Sequence, residues 1–221
     1  MADPQQRAWM SADSALWRTT HIVSDLQHSR VPEYRVDTLF PLGQNEIAMT
    51  SGAVFVDAYR SAGDGSYVHS SGMVFGTGGL GVAMIAGSLI GNAAANSQRR
   101  REAEAKAAAA WRPEFSGTIF VTNSGFIVQT TAGLFPWDWP SIDLMQVVDF
   151  NRVILQGRSS SGAITWRLAS EWAELLFVLW ALNRHPQHPQ LRDGSWLPPG
   201  WIEWATHMGY RPHLGQPQIE Q

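Results

Sequence analysis

Two histidines three positions apart, His185 and His188 in RHPQHPQ, and three aspartates, Asp138, Asp143 and Asp149, are the residues whose types suit metal binding or acid–base work. With no cysteine in the chain and no carboxylate pair at matching spacing, the histidine pair lacks the third and fourth ligands of a zinc site, and a proline-rich exit loop accounts for the run. The aspartates alternate with apolar residues, as solvent-facing strand positions do. No G-x-S-x-G, P-loop, dinucleotide fingerprint or H-E-x-x-H occurs, and the glycines at 76–81 lack the Lys-Ser/Thr of a phosphate loop. The expectation is a non-enzymatic protein with no cofactor and no metal; a small hydrolase using scattered Asp and His is the enzymatic alternative.

A formal net charge of −3 over 221 residues gives no overall pull toward nucleic acid or anionic lipid, so no nucleic-acid partner is expected. The absence of cysteine excludes disulfides and suits a reducing cytosol. MADPQQRAWMSADSALW lacks the basic-then-apolar order of a secretory signal, which reads as a cytoplasmic protein, with membrane association as the open question.

The elements that must position these residues are set by periodicity. SADSALWRTTHIVSDLQH, residues 11–28, places Leu16, Val23 and Leu26 on one helical stripe with Ser11 or Asp13 as cap, and Val31-Pro32 ends it. Residues 47–59 read as a strand, or a bent pair, broken at Gly52. From residue 117 the period is two: GTIFVT and GFIVQTT flank Asn123-Ser124-Gly125, whose tolerance of positive φ predicts a hairpin. MQVVDF, VILQGR and AITWRLA continue the strands. Ser170 is placed to cap EWAELLFVLWALNR, with Glu171 and Glu174 in its first turn, and Trp172, Leu175, Leu176, Leu179 and Leu182 facing a sheet.

Between the early strand and the hairpin lies GTGGLGVAMIAGSLIGNAAANSQRRR, residues 76–101, with an alanine-rich run after it that favours helix. One helix from about Gly81 to Ala110 would be roughly 45 Å long. Ala83, Gly87, Gly91 and Ala95 lie on one face, where small residues let a second backbone approach in helix packing or membrane contact. Arg99, Arg100 and Arg101 are a candidate basic contact and obey the positive-inside rule, although Glu102 and Glu104 offset them. A single span over 73–98 has the length and apolarity, but it would split one sheet across a membrane if the 47–59 strand pairs with strands after 117.

The run of antiparallel strands closed by one amphipathic helix resembles a pleckstrin-homology-like (PH-like or GRAM-like) barrel. GTIFVTNSGFIVQT is similar to a hairpin of that superfamily, and PWDWPSIDLMQVV is similar to the strand and connection that follow it. More narrowly, Gly87–Ala110, Trp111-Arg112-Pro113 and TTAGLFPWDWPSI resemble uncharacterised actinobacterial proteins that carry such a barrel. The resemblance implies an α+β fold: a PH-like antiparallel β-barrel capped by a C-terminal helix, with an N-terminal helical segment (1–38), the PH-like domain (39–190) with a Gly/Ala-rich helical insertion (72–111), and a Trp/Pro-rich tail (191–221). Phosphoinositide-binding PH domains cluster Lys and Arg around the first hairpin loop, whereas this region offers Arg60 beside Asp57 and Asp64, which disfavours specific phosphoinositide binding.

Eleven tryptophans exceed ordinary structural need. Trp137, Trp139, Trp166, Trp172 and Trp180 are assigned to the sheet and its helix. In the tail, Pro198 and Pro199 start a short helix ended by Gly209, with Trp201 and Trp204 on one face, folded back or free for aromatic docking. The function expected is a binding or scaffold protein for a protein or membrane partner, or one that self-associates; the alternative is a protein anchored in a membrane by 73–98 with a cytoplasmic PH-like domain.

Overall fold

Along residues 110–169 the alternation of apolar and polar side chains puts every second residue on one face, and hydrogen bonding gathers these strands with residues 48–60 into one sheet. The computed structural model describes residues 8–30, 33–61, 108–159 and 162–213. In chain order the elements are α1 (Ser11–Gln27), β1 (Ala48–Arg60), β2 (Ala110–Thr122), β3 (Gly125–Thr130), β4 (Gly133–Asp138), a 3-10 turn (Trp139–Ser141), β5 (Ile142–Asp149), β6 (Arg152–Ser159), β7 (Gly162–Ala169), α2 (Ala173–Arg184), α3 (Pro189–Asp193) and α4 (Trp201–His207). The architecture is mixed α+β around a seven-stranded antiparallel sheet of order β4-β3-β2-β1-β7-β6-β5. The sheet is open, with β4 and β5 as its edges, so the closure expected of a barrel is not seen in the strand order.

Register sets the core. Val56 lies opposite Leu168, Ala58 and Leu155 both lie opposite Trp166, and Val121 lies opposite Phe126. All are buried; on β1, β6 and β7 burial alternates, the outcome of a period-two pattern with one covered face, whereas on β2 and β3 consecutive residues are buried and Phe40 packs on Phe120 at 5.1 Å, so both faces are covered there. The covering helix is α2. The expectation of a single apolar stripe understates it: Ala173 to Ala181 are buried all round, because α2 packs against β5 and β6 on one side and α1 on the other.

The chain divides into two compact units, one of Met1–Ala58 with Pro113–Gln221, the other Tyr59–Arg112. In the second, the described residues include the last of β1 and the first of β2: the Tyr59 and Trp111 rings lie 5.3 Å apart and Arg112 Nε donates to the Arg60 carbonyl at 3.3 Å. In the first, N-terminal and C-terminal segments share the core. Trp9 stacks on Tyr210 at 3.7 Å and on Trp204 at 5.1 Å.

Several local expectations are corrected. β1 runs unbroken through Gly52, which is glycine because a Cβ there would meet the Trp172 indole at 2.8 Å. The hairpin at 123–125 forms without positive φ; Thr122 Oγ1 instead accepts the N–H groups of Ser124 and Gly125 at 3.2 and 3.0 Å, and a Cβ on Gly125 would fall 1.8 Å from the Trp137 carbonyl. The N-cap of α1 is Met10, whose N–H is accepted by Asp13 at 3.0 Å. α2 begins at Ala173 with Trp172 as N-cap, and Ser170 Oγ accepts the Trp172 N–H, at 3.3 Å. The Val31-Pro32 step lies outside the described residues.

Candidate binding groove

β5 is an edge strand, so alternate backbone N–H and C=O groups along it have no neighbouring strand. At Val147 both groups are nevertheless bonded. Gln190 Oε1 accepts the Val147 N–H at 3.0 Å and Gln190 Nε2 donates to the Val147 carbonyl at 2.8 Å. A carboxamide is chemically a peptide group, so Gln190 supplies the pair of bonds that one residue of an adjoining strand would supply. The opposite edge is blunted differently, by Pro136 in the middle of β4, which has no N–H to offer.

Beside the β5 edge lies a groove of about 450 Å³, lined by Asp143, Leu144, Trp180, Arg184, His185 and His188 among others. Its floor is fixed by Trp180, whose indole N–H donates to the Ile142 carbonyl at 3.1 Å and ties the end of α2 to the start of β5. The His185 and His188 rings lie 4.9 and 5.8 Å from the Trp180 ring. Burial, then the charge of His185, holds His188 below the ordinary histidine value, with Asp193 opposing. Trp180 itself is 1% exposed, so the rings that line the groove are the two imidazoles packed against it, with neutral His188 favoured. Leu144 is 39% exposed on its wall. Asp143 is occupied by Arg158, which donates to it at 3.2 and 3.3 Å, leaving Arg184 as a cation that enters no salt bridge among the described residues. A larger recess of about 1160 Å³ borders Val23, Leu182, Trp196 and Trp201, under the 186–200 loop, and no sheet strand lines it.

The histidine pair thus comes together, on aromatic rings; no group of three or more His, Cys, Asp or Glu able to hold a metal occurs among the described residues. The three aspartates each have a local partner: Asp138 caps the 3-10 turn at Ser141, Asp143 pairs with Arg158, and Asp149 accepts the Phe150 N–H at 2.8 Å. Asp57 pairs with Arg167 at 2.6 Å directly across β1 and β7. Trp201 and Trp204 are 2% and 3% exposed, so their rings are spent on Trp9 and α1, not held out for aromatic docking. Five indoles, Trp9, Trp139, Trp172, Trp180 and Trp201, each donate to a named oxygen. Ala83, Gly87, Gly91, Ala95, Arg99, Arg100 and Arg101 lie outside the described residues.

Sequence reasoning missed Glu174 and Gln190. Glu174, read as a first-turn acid serving the helix dipole, is 1% exposed: Oε1 accepts the Asn151 N–H at 2.7 Å, while Oε2 and Asn151 Oδ1 are buried with no hydrogen-bond donor among the described residues. Burial raises its pKa to about 7 against the pull of the Asn151 N–H, and Asp149 adds to the rise. Gln190 carried no signal beyond its place in a proline-rich run.

No family model, curated protein or solved structure matches the chain. Among the described residues no helix is long and apolar enough to cross a membrane.

Proposed function

We propose that the chain is a non-enzymatic binding or scaffold module of PH-like design, which engages a protein partner through the groove between β5 and the end of α2. The observation that carries this is the coincidence, in one groove of about 450 Å³ beside the edge strand β5, of the exposed Leu144 side chain, the His185 and His188 imidazoles and the Arg184 cation, which enters no salt bridge among the described residues. The PH-like reading is supported by the meander β1–β4, the second meander β5–β7 returning beside β1, and a helix after β7 that covers the core face. Because β1 and β2 are neighbours in one sheet, an odd number of crossings between them would put adjoining strands on opposite sides of a membrane. That favours the scaffold reading over a single span at 73–98.

The test is site-specific photo-cross-linking in the cells that make the protein. A photo-reactive residue at position 144 is expected to give a discrete adduct that Arg184→Glu removes, while the same residue at the comparably exposed Leu134 on β4 gives none. Equal adducts from both positions, or an adduct indifferent to Arg184, would reject the groove.

A further inference from the structure

The last described residues of the chain meet α1 through two imidazoles. His21, on α1, and His213, in the segment that follows α4, have ring centroids 4.0 Å apart and planes tilted by 32°. We propose that this pair is an acid-sensitive latch: residues 211–213 rest on α1 while the two imidazoles are uncharged, and leave it when both carry a proton. Neither imidazole lines the groove beside β5, so the latch is independent of the binding reading above.

The hold on α1 is made of neutral contacts. The His213 N–H donates to Thr20 Oγ1 at 3.2 Å, and Thr20 Oγ1 donates in turn to the Trp17 carbonyl at 2.7 Å. His21 Nε2 is buried with no hydrogen-bond partner among the described residues. A charged His21 carries N–H groups on both nitrogens, so its Nε2 would become a buried donor with no acceptor. Two imidazolium rings at this separation also repel, and in a site from which water is partly excluded the repulsion is weakly screened.

Trp17 moderates the first proton. Its ring lies 4.2 Å from that of His21 and can hold one imidazolium against its π face, so the second charge is the one that separates the pair. Asp25 on α1 favours the charged form but is itself bonded to Arg30 at 2.8 Å, and the segment brings the Arg211 side chain. Where His213 borders the recess under the 186–200 loop, the charged groups are Arg192, Asp193 and Glu203. Burial, then the charge of His213, holds His21 below the ordinary value of 6.5, with the Arg211 backbone and Asp25 opposing. The released ring ionises near 6.5. As pH falls below that value the released state binds more protons than the docked one, and docking weakens.

The experiment is NMR of the full-length chain at about pH 8 and about pH 5. Wild type is expected to show cross-relaxation between the His21 and His213 rings at the higher pH and to lose it at the lower, while the β6 and β7 amides stay protected. His21→Phe keeps a ring against Trp17 and cannot charge, so it is expected to hold His213 in place at both. In His213→Gln the midpoint of the His21 titration is expected to rise. A ring-to-ring signal that survives in acid would overturn the latch, as would its loss only when the whole sheet unfolds. A His21→Phe segment that leaves in acid as wild type does, or an unchanged His21 midpoint in His213→Gln, would overturn it as well. Should His21→Phe fail to fold, the two wild-type spectra and the His213→Gln midpoint decide.

Discussion

Asp13, wholly buried in the first turn of α1, accepts the indole N–H of Trp201 at 3.0 Å across 188 residues of sequence. The same carboxylate accepts the Met10 N–H through its other oxygen. One side chain thus caps α1 and fastens α4 to it. Asp13→Ala removes the acceptor for both donors and leaves a buried indole N–H unsatisfied, which is expected to cost about 2–4 kcal/mol of stability. In a double-mutant cycle with Trp201→Phe, urea unfolding is expected to show a coupling of ~1 kcal/mol. Additive losses would mean that the contact contributes nothing of its own.

Glu174 makes stability fall as pH rises. The unfolded side chain ionises near 4.5, the folded one holds its proton to about 7, and between those values the folded state binds more protons than the unfolded. Its contribution is therefore complete below pH 4.5, declines through the window 4.5 to 7, and is gone above it, a change on the order of 3 kcal/mol. Glu174→Gln keeps an oxygen for the Asn151 N–H and cannot ionise, so it is expected to match wild type in acid, exceed it at mildly alkaline pH, and flatten the profile between. Chemical denaturation across that range measures it; parallel profiles for the two proteins would reject the assignment.

Glu46 acts with the opposite sign. Burial alone would raise its pKa, but the hydroxyls of Ser124 and Thr122, at 2.6 and 2.7 Å, and the Gly43 N–H, at 2.9 Å, outweigh burial and hold it below the usual value of 4.5. Its stabilisation is present above pH 4.5 and lost as pH falls through the lower folded value. Glu46→Ala is expected to cost about 1 kcal/mol at neutral pH, the group being partly solvated. The thermal midpoints of variant and wild type should converge in acid.

These three acids show where the sequence was legible. Strands announced themselves through period-two runs, and the turn at 123–125 through its residue types, because those signals are local. What a residue meets across the fold is not local. Glu46 reaches Ser124 over 78 positions, Gln190 reaches Val147 over 43, and nothing in either neighbourhood distinguishes them from solvated side chains. Glu174 looked like a helix-dipole acid because its position fits that role, and only the packing of α2 against both sheet and α1 makes it a buried one. Openness of the sheet was equally out of reach, since alternation fixes which face is covered and not whether two edges meet.

Two of the tight glycines, Gly52 and Gly125, separate a clash that can relax from one that cannot. A Cβ on Gly52 would lie 2.8 Å from the Trp172 indole, and the ring can retreat only by stretching its 3.0 Å bond to the Ser51 carbonyl. A Cβ on Gly125 would lie 1.8 Å from the Trp137 carbonyl, which belongs to the backbone of β4 and has the Phe126–Trp137 pairing on one side and the start of the 3-10 turn on the other. Gly52→Ala is therefore expected to fold with a loss of about 1–3 kcal/mol, and Gly125→Ala to lose more, as β4 detaches from β3. Hydrogen exchange distinguishes the two: Gly125→Ala should expose the β3–β4 amides while β6 and β7 remain protected, whereas Gly52→Ala should lower protection evenly. Equal protection patterns in the two variants would show that β4 is not held by this close approach.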